Sequence, residues 1–324
     1  MKDLALLVIL VSLAACSKSV SKDGRVFFQE NPNPAPTVVP TPRPSASPTP
    51  NPSPLPTPSP TPPSVGCDPA KVAPLLDYSA YVKNDLKTDH VDFSRRVVAG
   101  YVCAQHGSVG TALAGEATRV DLASAGVLGA NHLKVPRGKA TYGTTLDSVS
   151  STALGGFSKA PTDLGANLRK ILDFSNGCAK APTNAKVIRT CRHAGADPRS
   201  PEICTVRIKG EDPRLNIAEL APAQLLNTTV YVVDVPAGSA LVTNLAESRI
   251  AIFRGVEVQF APRTASAPVG GRTYWNFPAA DRLEFTGTVF HGTVVSPDAD
   301  VTVAGQSGEA GFWVRGLNAT DSNW

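Results

Sequence analysis

Leu283-Glu284-Phe285, Thr288-Val289-Phe290, Thr293-Val294-Val295 and Val301-Thr302-Val303 follow one another along residues 283–303, broken by Gly287, Gly292 and Pro297-Asp298. Each run is short, rich in β-branched or aromatic residues and bounded by turn formers, so each reads as a strand. Thr229-Val230-Tyr231-Val232-Val233, Ala240-Leu241-Val242 and Arg249-Ile250-Ala251-Ile252-Phe253 have the same form upstream. Strands of three to five residues at close spacing suit the stacked coils of a solenoid better than the longer strands of a sandwich. The runs do not recur at one fixed length, so the expected solenoid is irregular.

Further upstream, Phe93 to Cys103 reads as strand around Val97-Val98-Ala99-Gly100-Tyr101-Val102. Gly-punctuated strands continue through Val109, Val120, Val127-Leu128 and Leu133-Lys134-Val135. Asp68-Pro69 is a helix start, and Leu75, Leu76, Tyr78, Val82 and Leu86 keep partial helical spacing, which predicts one irregular helix there. A clearer helix begins at Thr162 or Asp163, carries Leu164, Leu168, Ile171 and Leu172 as its apolar stripe, and meets Gly177 as a stop. Its stripe is expected to pack along the flank of the β-structure.

The N-terminal residues address the chain. Met1-Lys2-Asp3 precedes an apolar run from Leu4 to Leu13, too short to span a bilayer and fit for a secretory signal. Leu13-Ala14-Ala15-Cys16 resembles a bacterial lipobox, which implies cleavage before Cys16 and acylation of its thiol; several acyl chains make a firm membrane anchor. Ser17 in place of Asp resembles an outer-membrane address. From Pro32 to Pro63 proline alternates with Ser, Thr, Asn and Ala, which excludes helix and sheet and predicts a disordered polyproline stalk. The expected organisation is a signal peptide at 1–16, a Pro-rich linker at 17–66 and one β-rich module at 67–324. The net charge of +4 is small and no basic stripe appears, so nucleic acid is not an expected partner.

Five cysteines remain: Cys67, Cys103, Cys178, Cys191 and Cys204. Export places them where disulfides persist. Cys191 and Cys204 flank a Gly-, Pro- and Asp-rich loop between β-branched runs, so a bridge between them is expected. Of the other three, two can pair and one is left free or bonded to another chain, with the pairing open. A metal reading would join Cys103 and His106 to Cys191 and His193, but the spacing repeats no zinc pattern. No metal or other cofactor is expected.

Three C-terminal segments carry a family resemblance. They are Pro236-Ala237-Gly238-Ser239-Ala240-Leu241-Val242-Thr243-Asn244, Tyr274-Trp275-Asn276-Phe277-Pro278-Ala279-Ala280, and Phe290-His291-Gly292 through Asp300-Val301. Together they resemble the closing signature of bacterial choice-of-anchor A domains, which are related to ice-binding-like adhesive domains. Arg96-Val97-Val98-Ala99-Gly100 and Leu215-Asn216-Ile217 are similar to earlier elements, although Arg95, Ser296 and Asp298 depart from the pattern. A cysteine-bearing insertion spans about residues 177–205. The resemblance implies a right-handed β-helix with one helix along its side, adhesion to a surface or matrix, and no transferable catalytic residues.

Candidate chemistry is sparse. Asp298 and Asp300 share a strand face and are weak Ca2+ candidates; an exposed turn after Pro297 explains them as well. Asp281, Glu284, Asp298, Asp300 and Arg282 could line a glycan-active cleft if the rungs bring them together. Tyr274, Trp275 and Trp313 are the candidate binding surface, since flat rings suit sugar faces and protein hot spots, and they equally suit the core of a solenoid. His291 falls in an alternating strand. The expectation is a lipid-anchored envelope protein displaying a non-catalytic adhesive module toward a host, matrix or envelope glycan or protein. A carbohydrate-processing envelope enzyme and a peptidoglycan-proximal structural lipoprotein are the alternatives.

Overall fold

The computed structural model describes residues 66–324 apart from 196, 198, 246–248 and 263–271. The signal peptide, Cys16 anchor and Pro-rich stalk expected from the sequence fall within residues 1–65, outside the described residues. What is described is mainly β and built from parallel strands.

The chain enters through α1 (Pro69–Val72), where the Asp68 carboxylate accepts the Ala70 N–H at 3.0 Å, and a 3-10 turn at Ala73–Asp77. β1 (Tyr78–Phe93) and β2 (Arg96–Val109) follow. The helix expected through Leu86 therefore ends before Tyr78. Ala80, Val82 and Leu86 point into the core while Tyr81 points away, and β1 has parallel neighbours on both sides. Two complete ladders outweigh a partial 3.6-residue pattern.

Next come β3 (Val120–Ser124), β4 (Leu128–Val135), β5 (Lys139–Tyr142), β6 (Leu146–Val149), β7 (Thr152–Ala153) and β8 (Phe157–Lys159). α2 (Gly165–Ala179) interrupts the strands. β9 (Lys186–His193) and β10 (Glu202–Lys209) form an antiparallel hairpin in which Cys191 faces Cys204, bridged as expected. The remainder is β11 (Leu215–Glu219), β12 (Thr228–Asp234), β13 (Ala240–Asn244), β14 (Ile250–Arg254), β15 (Glu257–Phe260), β16 (Thr273–Asn276), β17 (Arg282–Thr286), β18 (Gly292–Ala304) and β19 (Ala310–Asn323).

The parallel strands form three rows. The first runs β11-β13-β16-β18-β19-β1-β2-β3-β5-β8. The second runs β14-β17-β18-β19-β1-β2-β4-β6, and the third is β10-β12-β15, extended by single bridges from Glu257 through Val289 and Ser307 to Asn323. β1, β2, β18 and β19 belong to two rows because each bends midway, marked by register shifts at Val82/Leu86 and Ser296/Asp300. The strands expected separately at Thr293–Val295 and Val301–Val303 are thus one, and Pro297-Asp298 is a bend inside it, not a turn between strands.

Chain order and stacking order differ. β1 lies mid-stack; the chain advances to β8 at one end, restarts from β11 at the other, and returns to place β19 beside β1. Ala80 opposes Phe312 and Leu86 opposes Leu317. Trp324 donates its N–H to the Asp92 carbonyl at 2.9 Å, and its ring packs edge-on to Phe93 at 5.0 Å and tilted against Phe312 at 4.6 Å.

An apolar interior fills the space between the rows. Phe253 stacks on Phe285 at 4.9 Å, Phe285 meets Phe290 and Phe312, and Trp275 lies between Tyr231 and Phe290. Each such ring adds about 1.5–3 kcal/mol when fully buried. The first row is covered on its outer side too, where Ile171, Phe174 and Cys178 of α2 pack on Tyr81, Val98, Val242, Tyr274, Val295 and Trp313. β13 and β16 are accordingly buried at every residue, whereas β14 alternates strictly.

α2 starts at Gly165 with Leu164 in the capping position, one or two residues past the expected Thr162 or Asp163 cap, and the Asp163 carboxylate accepts the Gly165 N–H at 2.7 Å. Leu172, assigned to the buried stripe from sequence, is 39% exposed, and Phe174 and Cys178 take its place. Gly177 lies inside the helix rather than ending it. A Cβ there would sit 2.4 Å from the backbone of Gly66, so glycine permits the close approach that lets Cys178 bond Cys67. No described cysteine is free, so of the two fates expected for the odd cysteine a free thiol is ruled out. No described helix is long and apolar enough to cross a membrane.

Candidate functional site

Where the chain passes from the second row toward the third, it makes the same tight corner on eight successive levels. In stacking order the corner residues are Gly255, Gly287, Gly305, Asp321, His90, His106, His132 and Ser150, and all have φ between 44° and 61°. Glycine enters this left-handed region freely, and Asp and His tolerate it better than most side chains. Three of the chain's five histidines occupy consecutive levels of this corner.

Their rings stack. His90 and His106 have centroids 4.6 Å apart and planes 16° apart; His106 and His132 stand at 5.2 Å and 6°. Asp89 Oδ1 lies 2.9 Å from His90 Nδ1 and 3.2 Å from His106 Nδ1. All three side chains reach solvent, at 48%, 60% and 44% exposure. The sequence carried a signal for this set that its motifs did not: His90 to His106 spans the same 16 residues as Gly305 to Asp321, one level of the stack.

A second feature is an open depression of about 610 Å3 on the third row. Arg207 and Lys209 of β10, Val232 and Asp234 of β12, and Gln259 and Phe260 of β15 line it. Arg207 stands 3.7 Å from Asp234, and Lys209 3.2 Å from Glu211. Each cation already faces a carboxylate, so the lining is mixed in charge beside one aromatic ring.

The aromatic surface expected at Tyr274, Trp275 and Trp313 is not one. These residues are 1%, 0% and 0% exposed. Trp275 lies in the interior and donates its indole N–H to the His291 carbonyl at 3.0 Å, while Tyr274 and Trp313 lie beneath α2. Row alternation and the helix covering decide this, and neither is visible in an aromatic count. Burial pushes the Tyr274 phenol above its ordinary pKa, and pushes Tyr81, whose hydroxyl donates to the Leu164 carbonyl at 3.2 Å, up to about 12.

Asp298 and Asp300 are exposed, as expected, but they face cations. Asp300 accepts two hydrogen bonds from Arg315, at 3.0 and 2.7 Å, and Asp298 lies 3.8 Å from Lys83. The bond to Asp300 raises the Arg315 pKa. A carboxylate already clamped by a guanidinium offers Ca2+ a poor start, so the Ca2+ reading fails on geometry. Asp281 is bonded by Arg249 and Glu284 by Arg282, so these carboxylates are paired with arginines. Cys191 is consumed by its disulfide, and His193 Nδ1 sits 3.0 Å from the Ser200 carbonyl, which leaves no Cys-His metal set there. His291 Nδ1 accepts the Glu309 N–H at 3.2 Å.

A family model described as an ice-binding-like adhesive domain matches residues 71–319. No curated protein matches the sequence. Similar solved structures include an ice-binding protein from an Antarctic biological consortium, 11% identical with a TM-score of 0.34, the match covering 82% of this chain and 94% of that one. Another is the ice-binding protein of the Antarctic ascomycete Antarctomyces psychrotrophicus, 10% identical with a TM-score of 0.33, covering 80% and 96%.

Proposed function

Because the chain belongs to the ice-binding-like adhesive domain family, we propose that it is a lipid-anchored envelope protein presenting an adhesive module to the cell's surroundings. In this reading Cys16 carries the lipid in the outer membrane, residues 17–66 form a polyproline stalk, and residues 67–324 coil as an irregular right-handed β-solenoid. The family match carries the adhesive role. Two features agree with it: a stack closed by β19 on β1, and a second row whose strands β14 and β17 turn alternate residues to solvent, with no described helix over them.

At roughly 3.1 Å per residue the stalk would hold the module on the order of 100 Å from the membrane. Many copies on one membrane turn weak single contacts into firm attachment. The depression holding Arg207, Asp234 and Phe260 offers a glycan or protein ligand paired charges beside an aromatic ring. The reading contains no catalytic step.

Protease shaving of intact cells tests it. Release of the module from unbroken cells, with loss of adhesion, is the expected result, and Cys16→Ala should move the protein from the membrane to the soluble fraction. Full protection of the module in intact cells defeats surface display and favours a periplasmic, peptidoglycan-proximal role.

A further inference from the structure

The stacked corner of Asp89, His90 and His106 has no part in the adhesive reading. We propose that it binds one divalent transition-metal ion, with Zn2+ as the reference case.

The donor chemistry comes first. Two imidazole nitrogens and a carboxylate oxygen suit Zn2+, Cu2+ or Ni2+, whereas Ca2+ and Mg2+ favour sites made of oxygen alone. Geometry follows. Asp89 Oδ1 stands 2.9 and 3.2 Å from the two Nδ1 atoms, and the three donor atoms lie within 4.8 Å of one another. A tetrahedral ion with bonds of about 2.0–2.1 Å holds its ligands about 3.3–3.4 Å apart. Admitting an ion therefore needs tenths of an ångström between Asp89 and each histidine, and a turn of the two rings out of their stack so that each Nδ1 lone pair points at the ion. Rotation of exposed side chains supplies both.

The backbone has already brought these groups together. Asp89 is in register with Gln105 and Val91 with Gly107, so His90 and His106 sit on adjacent levels with matching left-handed φ of 53° and 44°. Both Nδ1 atoms already lie within about 3 Å of one carboxylate oxygen. Three protein ligands leave a position for water, the arrangement of an open rather than a closed site. His132 and Asp321 hold the levels on either side of the pair.

The test uses the full chain purified without a histidine tag. Zn2+ is titrated by calorimetry, and Co2+ serves as a visible-absorbance probe of coordination. One ion per chain is expected. His90→Asn and His106→Asn should each weaken binding about tenfold or more, and the double variant should abolish it. Asn tolerates the left-handed corner, so these changes remove a ligand without straining the backbone. Asp89→Asn, which leaves the corner untouched, should also weaken binding, and circular-dichroism melts verify that each variant is folded. His193→Asn and His291→Asn should bind as the parent does. Absence of Zn2+ heat and of a Co2+ band overturns the proposal, as does binding that survives the double variant or falls equally in the His193 or His291 controls.

Discussion

Asn276→Ala is the sharpest test of how α2 is held to the stack. Asn276 is fully buried in β16 beneath the helix. Its Nδ2 donates to the Ser175 carbonyl at 2.9 Å and to Asn244 Oδ1 at 2.8 Å, and its Oδ1 accepts the Ser175 hydroxyl at 2.6 Å. Asn244 in turn donates to the Cys178 carbonyl at 2.8 Å. Two stacked asparagines thus engage polar groups in the last turns of α2. Alanine leaves three buried groups without this partner, each worth about 1–3 kcal/mol when unpaired. The Ser175 hydroxyl can turn back to a carbonyl one turn earlier, which offsets part of the loss. The net cost is about 3–4 kcal/mol, a fall in Tm of roughly 6–8 °C for a body of this size.

Urea unfolding followed by tryptophan fluorescence measures that cost, and amide hydrogen exchange localises it. Amides of Gly165–Ala179 should exchange faster while the core strands stay protected. Asn276→Asp should be worse than alanine, since its carboxylate would face helix carbonyls near the negative end of the macrodipole. A loss under about 1 kcal/mol, or equal loosening of helix and strands, refutes the reasoning. It would mean that the disulfide and apolar contacts alone hold α2.

Gly177→Ala should destabilise by about 2 kcal/mol or more, although alanine gains about 1 kcal/mol in an open helix; a higher melting temperature would show that the Gly66 contact yields easily. Replacing Cys191 and Cys204 together with alanine should cost about 2–3 kcal/mol by freeing the hairpin loop, read from the urea midpoint. Alkaline stability should follow the buried phenols. The folded-state pKa of Tyr81 is raised to about 12, and those of Tyr231 and Tyr274 are raised further, all chiefly by burial. A raised pKa gives stability that is complete below pH 10 and is lost as pH climbs from 10 toward 12. Phenolate absorbance against pH should show these tyrosines titrating late, and simple titration of all six near pH 10 would contradict their burial.

Local order was legible where composition and period agreed. The strands around Val97, Val230, Leu241 and Leu283, the helix near Leu168 and the Cys191–Cys204 bridge all follow from short β-branched runs, a 3.6-residue stripe and a loop flanked by cysteines. The segment from Tyr78 to Leu86 misled because its apolar residues fit two periods, and only the β2 and β19 partners chose between them. β5 to β8 went unread because they are two to four residues long, too short for an alternating pattern to show. The candidate site was least legible: composition left the aromatic residues open between surface and core, which burial settles as core, and the histidine corner left no local motif.

The sequence alone determines that this chain makes many short strands broken by glycine, because each break is a local backbone preference. Only the tertiary structure decides which rungs touch. Stacking order departs from chain order, so β19 lies on β1 and histidines 16 and 26 residues apart share one corner. Such neighbours are chosen by burial and register summed over the whole stack, a quantity that no local stretch contains.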